Sequence, residues 1–187
     1  MHPDIARPDS SEYAAYYGKY VDAIAHTLTS SGIGDIRDVM DQQCDELEAM
    51  VRDISDAQAN LAYAPGKWTL KESLVHVCDT ERIFSYRALR IARGDGTPLS
   101  SFNQDDYVPE SRATRRTMAD ILAEFRLIRA NTVALVNSFD EIAIDKRGTA
   151  SGNAVSTRAV CWIIAGHAEH HIAVTRDRYV PALSGAK

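Results

Sequence analysis

The apolar residues of this chain recur at spacings of three and four between glycine and proline breaks, and this periodicity limits the fold more than any other feature. The breaks lie at Pro65-Gly66, from Gly94 to Pro98, at Gly148 and Gly152, and at Pro181. No stretch alternates Val, Ile and aromatic residues with polar residues over the length of a strand. The pattern therefore predicts an all-α protein.

Four long amphipathic helices and a shorter N-terminal one are expected, over about 12–28, 36–54, 70–93, 118–139 and 157–179. Thr69 and Glu72 have the spacing of a capping box before the 70–93 helix, and Gly94 is placed to end it. Thr117 is the expected N-cap of the 118–139 helix. We predict a four-helix bundle with an extra N-terminal helix, in which the long 94–116 connection crosses over or covers one end.

The 187 residues correspond to one domain, with residues 1–34 as an N-terminal extension and 35–180 as the bundle. The formal charge of −5 argues against binding nucleic acid, since phosphate binding depends on Lys and Arg. No apolar run has the length of a membrane span, and residues 1–10 do not resemble a secretory signal. Three widely separated cysteines fit a reducing compartment, so we expect a cytoplasmic location.

Three of the six histidines lie in the segment GHAEHH at 166–171. His167 and His171 are four residues apart, so a helix places them on one face. That face also carries Val160, Ile164 and Val174, and it otherwise resembles a core stripe. Buried imidazoles need a partner, and a divalent metal that binds their neutral nitrogens is one solution. The alternative is a pair of core histidines that hydrogen-bond to neighbouring groups.

His76, within the 70–93 helix, is the candidate third ligand, because metal sites in bundles are built from side chains on facing helices. Three protein ligands with an open fourth position are typical of catalytic sites. The helical wheel places His76 beside Thr80, Ile83 and Arg87, at the edge of the apolar face. The alternative is therefore a histidine at the rim without a partner.

Asp79, Glu81 and His170 are candidates for a supporting role around these ligands. Either carboxylate could orient a ligand imidazole. The alternative for both is an ion pair, Glu81 with Arg82 or Arg87 and Asp79 with another basic residue. His170 could support the site, carry protons or be solvated.

Other candidate residues are expected to be structural. Cys78 and Cys161 have apolar neighbours, so we expect buried thiols rather than ligands or nucleophiles. Trp68 is expected to pack under the 70–93 helix. His2 and His26 have no candidate ligand nearby and are expected on the surface.

Several motifs, in order along the chain, resemble those of the DinB/YfiT-like superfamily. They are 63–76 (YAPGKWTLKESLVH), 79–82 (DTER) with Arg87, 90–95 (RIARGD), 102–107 (FNQDDY), and 166–171 followed by Arg178 and Tyr179. The resemblance covers most of the chain from Tyr63 onward, whereas the first sixty residues match loosely.

This resemblance implies an up-down-down-up bundle with one long crossover, and a divalent nickel, zinc or iron ion held by His76, His167 and His171. It also implies a homodimer, for which the N-terminal tyrosines could form the surface. Enzymes among the relatives include thiol-dependent S-transferases that use bacillithiol or mycothiol, a mycothiol-dependent maleylpyruvate isomerase, and hydrolases.

The expected function is that of a metal-dependent enzyme acting on a small molecule, of the thiol S-transferase or hydrolase type. The two types differ in whether a low-molecular-weight thiol or a water molecule occupies the open position. The alternative is a non-catalytic, metal-stabilised bundle that binds a ligand or a partner. A purely helical scaffold with hydrogen-bonded core histidines is a third, weaker interpretation.

Overall fold

The computed structural model describes residues 3–183, within which eight α-helices and one β-hairpin form the fold. The elements are α1 (Gly18–Ser31), α2 (Ile36–Val51), α3 (Leu70–Ala92), α4 (Gln104–Glu110), α5 (Met118–Asn137), α6 (Glu141–Asp145), β1 (Arg147–Ala150), β2 (Asn153–Ser156), α7 (Thr157–Val174) and α8 (Val180–Leu183). A π-helical turn, Thr175–Tyr179, joins α7 to α8. Across these described residues, no helix is both long and apolar enough to cross a bilayer.

Helices α2, α3, α5 and α7 form the bundle, and contacts at one end fix their directions. Asp56, five residues after α2 ends, contacts the Lys71 ammonium and the Met118 backbone N–H, so α3 and α5 both begin at this end. The Tyr179 hydroxyl, beyond the end of α7, donates to the Trp68 carbonyl just before α3. Two helices therefore end where the other two begin, which confirms the up-down-down-up topology.

The capping signals in the sequence mark the helix ends. Thr69 and Glu72 form the capping box at the start of α3, and Thr117 accepts from the Asp120 N–H at the start of α5. Gly94 adopts a left-handed φ of 78° just beyond α3. Side-chain caps satisfy N–H groups that have no partner within the helix, so these signals can be recognised locally.

The expected N-terminal helix begins later than predicted. Two short 3₁₀ segments, Ser10–Glu12 and Ala15–Tyr17, precede α1. The Glu12 carboxylate turns back to accept from the Asp9 N–H, and Tyr13 is extended, so the first segment stops after one turn. Helix α1 packs against α7 outside the bundle, and its Val21 side chain is fully buried in the same core as α7.

The hairpin of β1 and β2 corrects the expectation that the 148–152 region is a simple break between helices. Its strands have four residues each, too short for an alternating pattern to stand out. Ser151 and Gly152 have φ values of 51° and 76°, as a two-residue turn of this kind requires. Leu99 of the crossover exchanges backbone hydrogen bonds with the hairpin, donating to Thr149 and accepting from Ser151. The crossover is thereby fixed over the N-terminal end of α7.

Candidate metal centre

Helices α3 and α7 run antiparallel and bring three imidazoles together towards the end of the bundle where α3 begins and α7 ends. His167 and His171 lie one turn apart on α7, and His76 on α3 faces them. The Nε2 atoms of His76 and His167 are 3.1 Å apart. One nitrogen from each of the three rings can be chosen so that all lie within 4.8 Å of one another. The structure therefore brings together the residues that the sequence analysis selected as ligands.

Burial keeps the three imidazoles neutral. His76 and His167 are 4% and 6% exposed, so the edge position predicted for His76 is in fact inside the protein. Burial lowers the pKa of His76 to about 4. Burial also lowers the pKa of His167 and of His171 well below the usual value, and the neighbouring imidazoles add to this effect. Neutral imidazole is the form that has a lone pair for a metal ion.

Two hydroxyl groups lie within hydrogen-bonding distance of these rings, and the Asp105 carboxylate acts on His76 through its charge. The Ser73 Oγ lies 3.1 Å from the His171 Nδ1, and the Thr80 Oγ1 lies 3.4 Å from the His76 Nδ1. When the His171 Nδ1 carries the proton and donates to Ser73, the His171 Nε2 is left with a free lone pair, whereas Thr80, 3.5 Å from the His76 Nε2 as well, selects neither nitrogen of His76. Sequence reasoning did not select either hydroxyl, although Thr80 lies one helical turn from His76.

Aromatic rings enclose the imidazoles on the remaining sides. The Trp68 ring centroid is 4.9 Å from that of His76, while Tyr20 and Phe84 lie edge-on to His167 at 5.7 and 6.1 Å. Trp68, expected to be structural, therefore contacts a candidate ligand directly. Such contacts between distant segments left no local signal in the sequence.

The carboxylates considered as supporting groups pair with arginines. Glu81 forms a buried ion pair with Arg129 at 2.8 Å, and Asp79 lies 3.7 Å from Arg82. Within residues 3–183, neither carboxylate hydrogen-bonds to an imidazole. His170 is half-buried, with its ring 5.2 Å from that of His171.

A cleft of about 400 Å³ opens next to the imidazoles. Its lining includes Tyr17, Tyr20, His76, Arg87, Phe102 and His167, and we call it the imidazole cleft. A second cleft, of about 300 Å³, reaches His171 from the side of Trp68 and Lys67. Small molecules can therefore approach the three rings from outside the bundle.

The remaining candidates are placed as follows. Cys78 and Cys161 are fully buried, and burial raises the pKa of each thiol. His26 is exposed, and His2 lies outside the described residues. Tyr17 and Tyr20 face the imidazole cleft, while the homodimer for which they were considered stays a prediction.

Comparisons with known proteins agree with this architecture. The sequence model of the DinB superfamily matches residues 40–174. The solved structure of YfiT from Bacillus subtilis, described as a probable metal-dependent hydrolase with an unusual four-helix bundle topology, superimposes with a TM-score of 0.71 at 14% identity. The match covers 96% of this chain and 91% of that one. No curated protein matches the chain in sequence.

Proposed function

Because the chain belongs to the DinB superfamily, we propose that His76, His167 and His171 bind a divalent transition metal ion and that the protein is a metal-dependent enzyme. The observation that carries this proposal is the convergence of three neutral imidazoles, two buried and one half-buried, beside an open cleft. The proposal includes nickel, zinc and iron, since imidazole binds all three.

The residues fit such an ion. A tetrahedral zinc ion with bonds of 2.0–2.1 Å separates two ligand nitrogens by about 3.3 Å. The His76 and His167 Nε2 atoms are 3.1 Å apart, which is close to that separation. Without an ion, the two nitrogens can interact favourably only if one ring carries a proton on Nε2 and donates it to the other. The Ser73 hydroxyl lies beside the His171 Nδ1, and if it accepts the proton of that nitrogen, the His171 Nε2 is free to bind the ion.

A bound divalent ion with an open position would make a water molecule or a thiol acidic enough to lose its proton near neutral pH. The protein would contribute orientation and exclusion of bulk water. Trp68 and Phe84 hold the imidazoles between aromatic rings, and the cleft admits a small molecule on one side. Restricting the ligand rings in this way reduces the reorganisation that binding requires.

We further propose a reaction of the hydrolase or the thiol S-transferase type. Both begin with deprotonation of a nucleophile at the open position, and both require the substrate to enter from the cleft. YfiT is described as a probable metal-dependent hydrolase, which supports the first type. The imidazole cleft has room for a small organic thiol, which supports the second.

Elemental analysis of the purified, untagged protein tests the metal site. We expect one equivalent of a transition metal in the wild type, and its loss in His76→Ala and in the His167→Ala/His171→Ala double variant. His26→Ala is the matched control, because this histidine is exposed and distant from the site. A wild type that binds no metal after reconstitution, or a His76→Ala variant that retains full metal content, would refute the proposal.

Cobalt substitution tests whether the site can be catalytic. An exchangeable water molecule on the cobalt ion, detected by a pH-dependent visible spectrum, is expected for an enzyme. A cobalt spectrum that does not change with pH, or when thiol or anion is added, would instead favour a metal-stabilised binding bundle. A screen of thiol donors and of hydrolysable esters and amides would then separate the two reaction types.

A further inference from the structure

Arg87, on the same face of α3 as His76 and Thr80, is a buried guanidinium that has no carboxylate partner among residues 3–183. Its residue exposure is 3%, and among residues 3–183 no acidic side chain forms an ion pair with it. The other deeply buried arginine, Arg129, is 1% exposed and is paired with Glu81 at 2.8 Å. A buried charge that lacks a counter-ion is costly, because desolvation is not offset by attraction.

The surrounding backbone positions this guanidinium. Its Nη2 donates to the Ser100 carbonyl of the crossover at 2.7 Å and to the Ser151 Oγ of the hairpin turn at 2.9 Å. Ser151 has a left-handed φ of 51°, a conformation that is unfavourable for a residue with a Cβ. The contact to Arg87 therefore holds together the two segments that were hardest to predict, the crossover and the hairpin.

Three of the five N–H donors of a guanidinium remain after these two hydrogen bonds. The Tyr17 hydroxyl interacts with the guanidinium, which partly opposes the rise that burial causes in the Tyr17 pKa. The rings of Phe84 and Phe102 lie with their centroids 5.3 and 5.9 Å from the Arg87 Cζ. These neighbours are neutral, so none of them compensates the positive charge.

Arg87 lines the imidazole cleft together with two of the candidate ligands, His76 and His167, and with Asp105. Along α3, Arg87 follows His76 by eleven residues, which separates their Cα atoms by about 16 Å. The long arginine side chain leans towards the helix N-terminus and shortens that separation. The Phe84 ring contacts both the Arg87 guanidinium and the His167 ring.

The neighbouring cleft on the outer side of Arg87, of about 450 Å³, contains two further arginines, Arg82 and Arg90. Arg82 is ion-paired with Glu124 at 2.6 Å, and Arg90 is ion-paired with Asp95. Their charges are neutralised within the protein, whereas the charge of Arg87 is available to a ligand.

We propose that Arg87 binds an oxyanion, such as a carboxylate, sulfonate or phosphonate group, of a small aromatic molecule that occupies the imidazole cleft. The aromatic part would lie against Phe102 and Tyr17, and the other end of the molecule would face His76 and His167. The assignment of this molecule as the substrate rests on the proposed function, whereas the anion site itself does not require a metal.

Calorimetric titration of the full chain tests this site with four probes that share one ring: benzoate, benzenesulfonate, phenylphosphonate and neutral benzamide. Each probe is titrated into metal-free and zinc-loaded protein, because an anion could also bind the metal. The variants are Arg87→Gln, Arg87→Lys and, as the matched control one turn along, Arg90→Gln. Zinc content and the urea midpoint of each variant are measured on the same samples.

For metal-free wild type, we expect at least one anion to bind more tightly than benzamide. The affinities of the three anions should differ according to the charged group that each carries. Arg87→Gln should weaken the binding of that anion by at least about tenfold, as loss of a hydrogen bond to a charged group implies. The anion affinity of Arg87→Lys should lie between those of the wild type and Arg87→Gln, because lysine keeps the charge but lacks the planar guanidinium. Arg90→Gln should not change the affinity.

The inference would be overturned if benzamide and the anions bound with equal affinity, or if folded Arg87→Gln still bound the anion. Arg87 would then be only a structural link between the hairpin and the crossover. A wild type that binds none of the three anions would overturn the inference as well. A protein that binds the anion through Arg87 but takes up no zinc would refute the proposed metal function while retaining this site. If Arg87→Gln does not fold, Arg87→Lys decides the matter: weaker anion binding than in the wild type supports the site, and unchanged anion binding overturns it.

Discussion

Replacing Gly166 by alanine tests how closely α1 and α7 approach each other. A Cβ on Gly166 would lie 2.4 Å from the Tyr20 carbonyl oxygen and 2.6 Å from the Tyr20 Cβ. Since ordinary van der Waals contacts begin near 3.5 Å, the two helices would have to separate by about 1 Å. The obstacle is backbone, so a change of rotamer cannot relieve it.

Helix propensity alone predicts the opposite effect, because alanine is favoured over glycine within a helix by about 0.8–1 kcal/mol. Overpacking of a close contact costs about 1–3 kcal/mol, and a clash with backbone belongs at the upper end. We therefore expect Gly166→Ala to lower the free energy of unfolding by about 1–2 kcal/mol. For a chain of this size, that corresponds to a decrease in Tm of roughly 2–8 °C.

Urea denaturation in the presence of a chelator provides the measurement, with the free energy taken by linear extrapolation. Gly18→Ala is the matched control, since Gly18 is also helical and its added Cβ would meet nothing within 4 Å. That variant should be neutral or slightly stabilised. A Gly166→Ala protein as stable as the wild type would show that α1 does not lie against α7 as described.

The same variant has a consequence for the site. Tyr20 contributes the clashing backbone, and its ring lies edge-on to His167 at 5.7 Å. A displaced α1 would loosen the aromatic enclosure of that imidazole, so metal affinity should fall in Gly166→Ala and stay unchanged in Gly18→Ala. Competition with a chromophoric chelator measures both values.

Three further predictions concern stability. Glu81→Ala should lower the free energy of unfolding by about 3–5 kcal/mol, because it leaves the Arg129 guanidinium buried without its partner. Arg82→Ala, at a half-exposed ion pair, should lower it by less than about 1 kcal/mol. Urea denaturation measures both values. Burial lowers the folded pKa of His76 to about 4, so protonation of His76 in metal-free protein should remove about 3 kcal/mol of stability as the pH falls from about 6.5 to 4, in addition to what His167 and His171 remove, and His76→Gln should make the pH profile shallower. Thr69→Ala removes the capping box of α3 and should cost about 1 kcal/mol by the same assay, and an unchanged midpoint would contradict the cap.

The sequence identified features that depend on residues close together along the chain. The extents of α2, α3, α5 and α7 follow from apolar spacing, and the caps at Thr69 and Thr117 follow from hydroxyls placed three residues before an N–H group. The pair His167 and His171 follows from helical geometry. Residues 147–156 were not recognised as a hairpin, because its stability comes from packing on α3 and α7 rather than from strand pattern.

The surroundings of the imidazoles depended on contacts that no local pattern encodes. Trp68 and Thr80 reach His76 because α3 and its preceding loop fold against it, and Tyr20 reaches His167 because α1 packs on α7. The partner of Glu81 is Arg129 on another helix, not the neighbouring arginines that the sequence suggested.

The sequence by itself determined that the chain forms amphipathic helices and that two imidazoles share a face, since both follow from the 3.6-residue period of the backbone. Tertiary structure alone decided that His76 is buried opposite them, and that no carboxylate in the described part of the chain neutralises Arg87. The physical reason is that burial and charge pairing depend on which surfaces meet, and the helices meet through residues far apart along the chain, as Glu81 and Arg129 or His76 and His167 are.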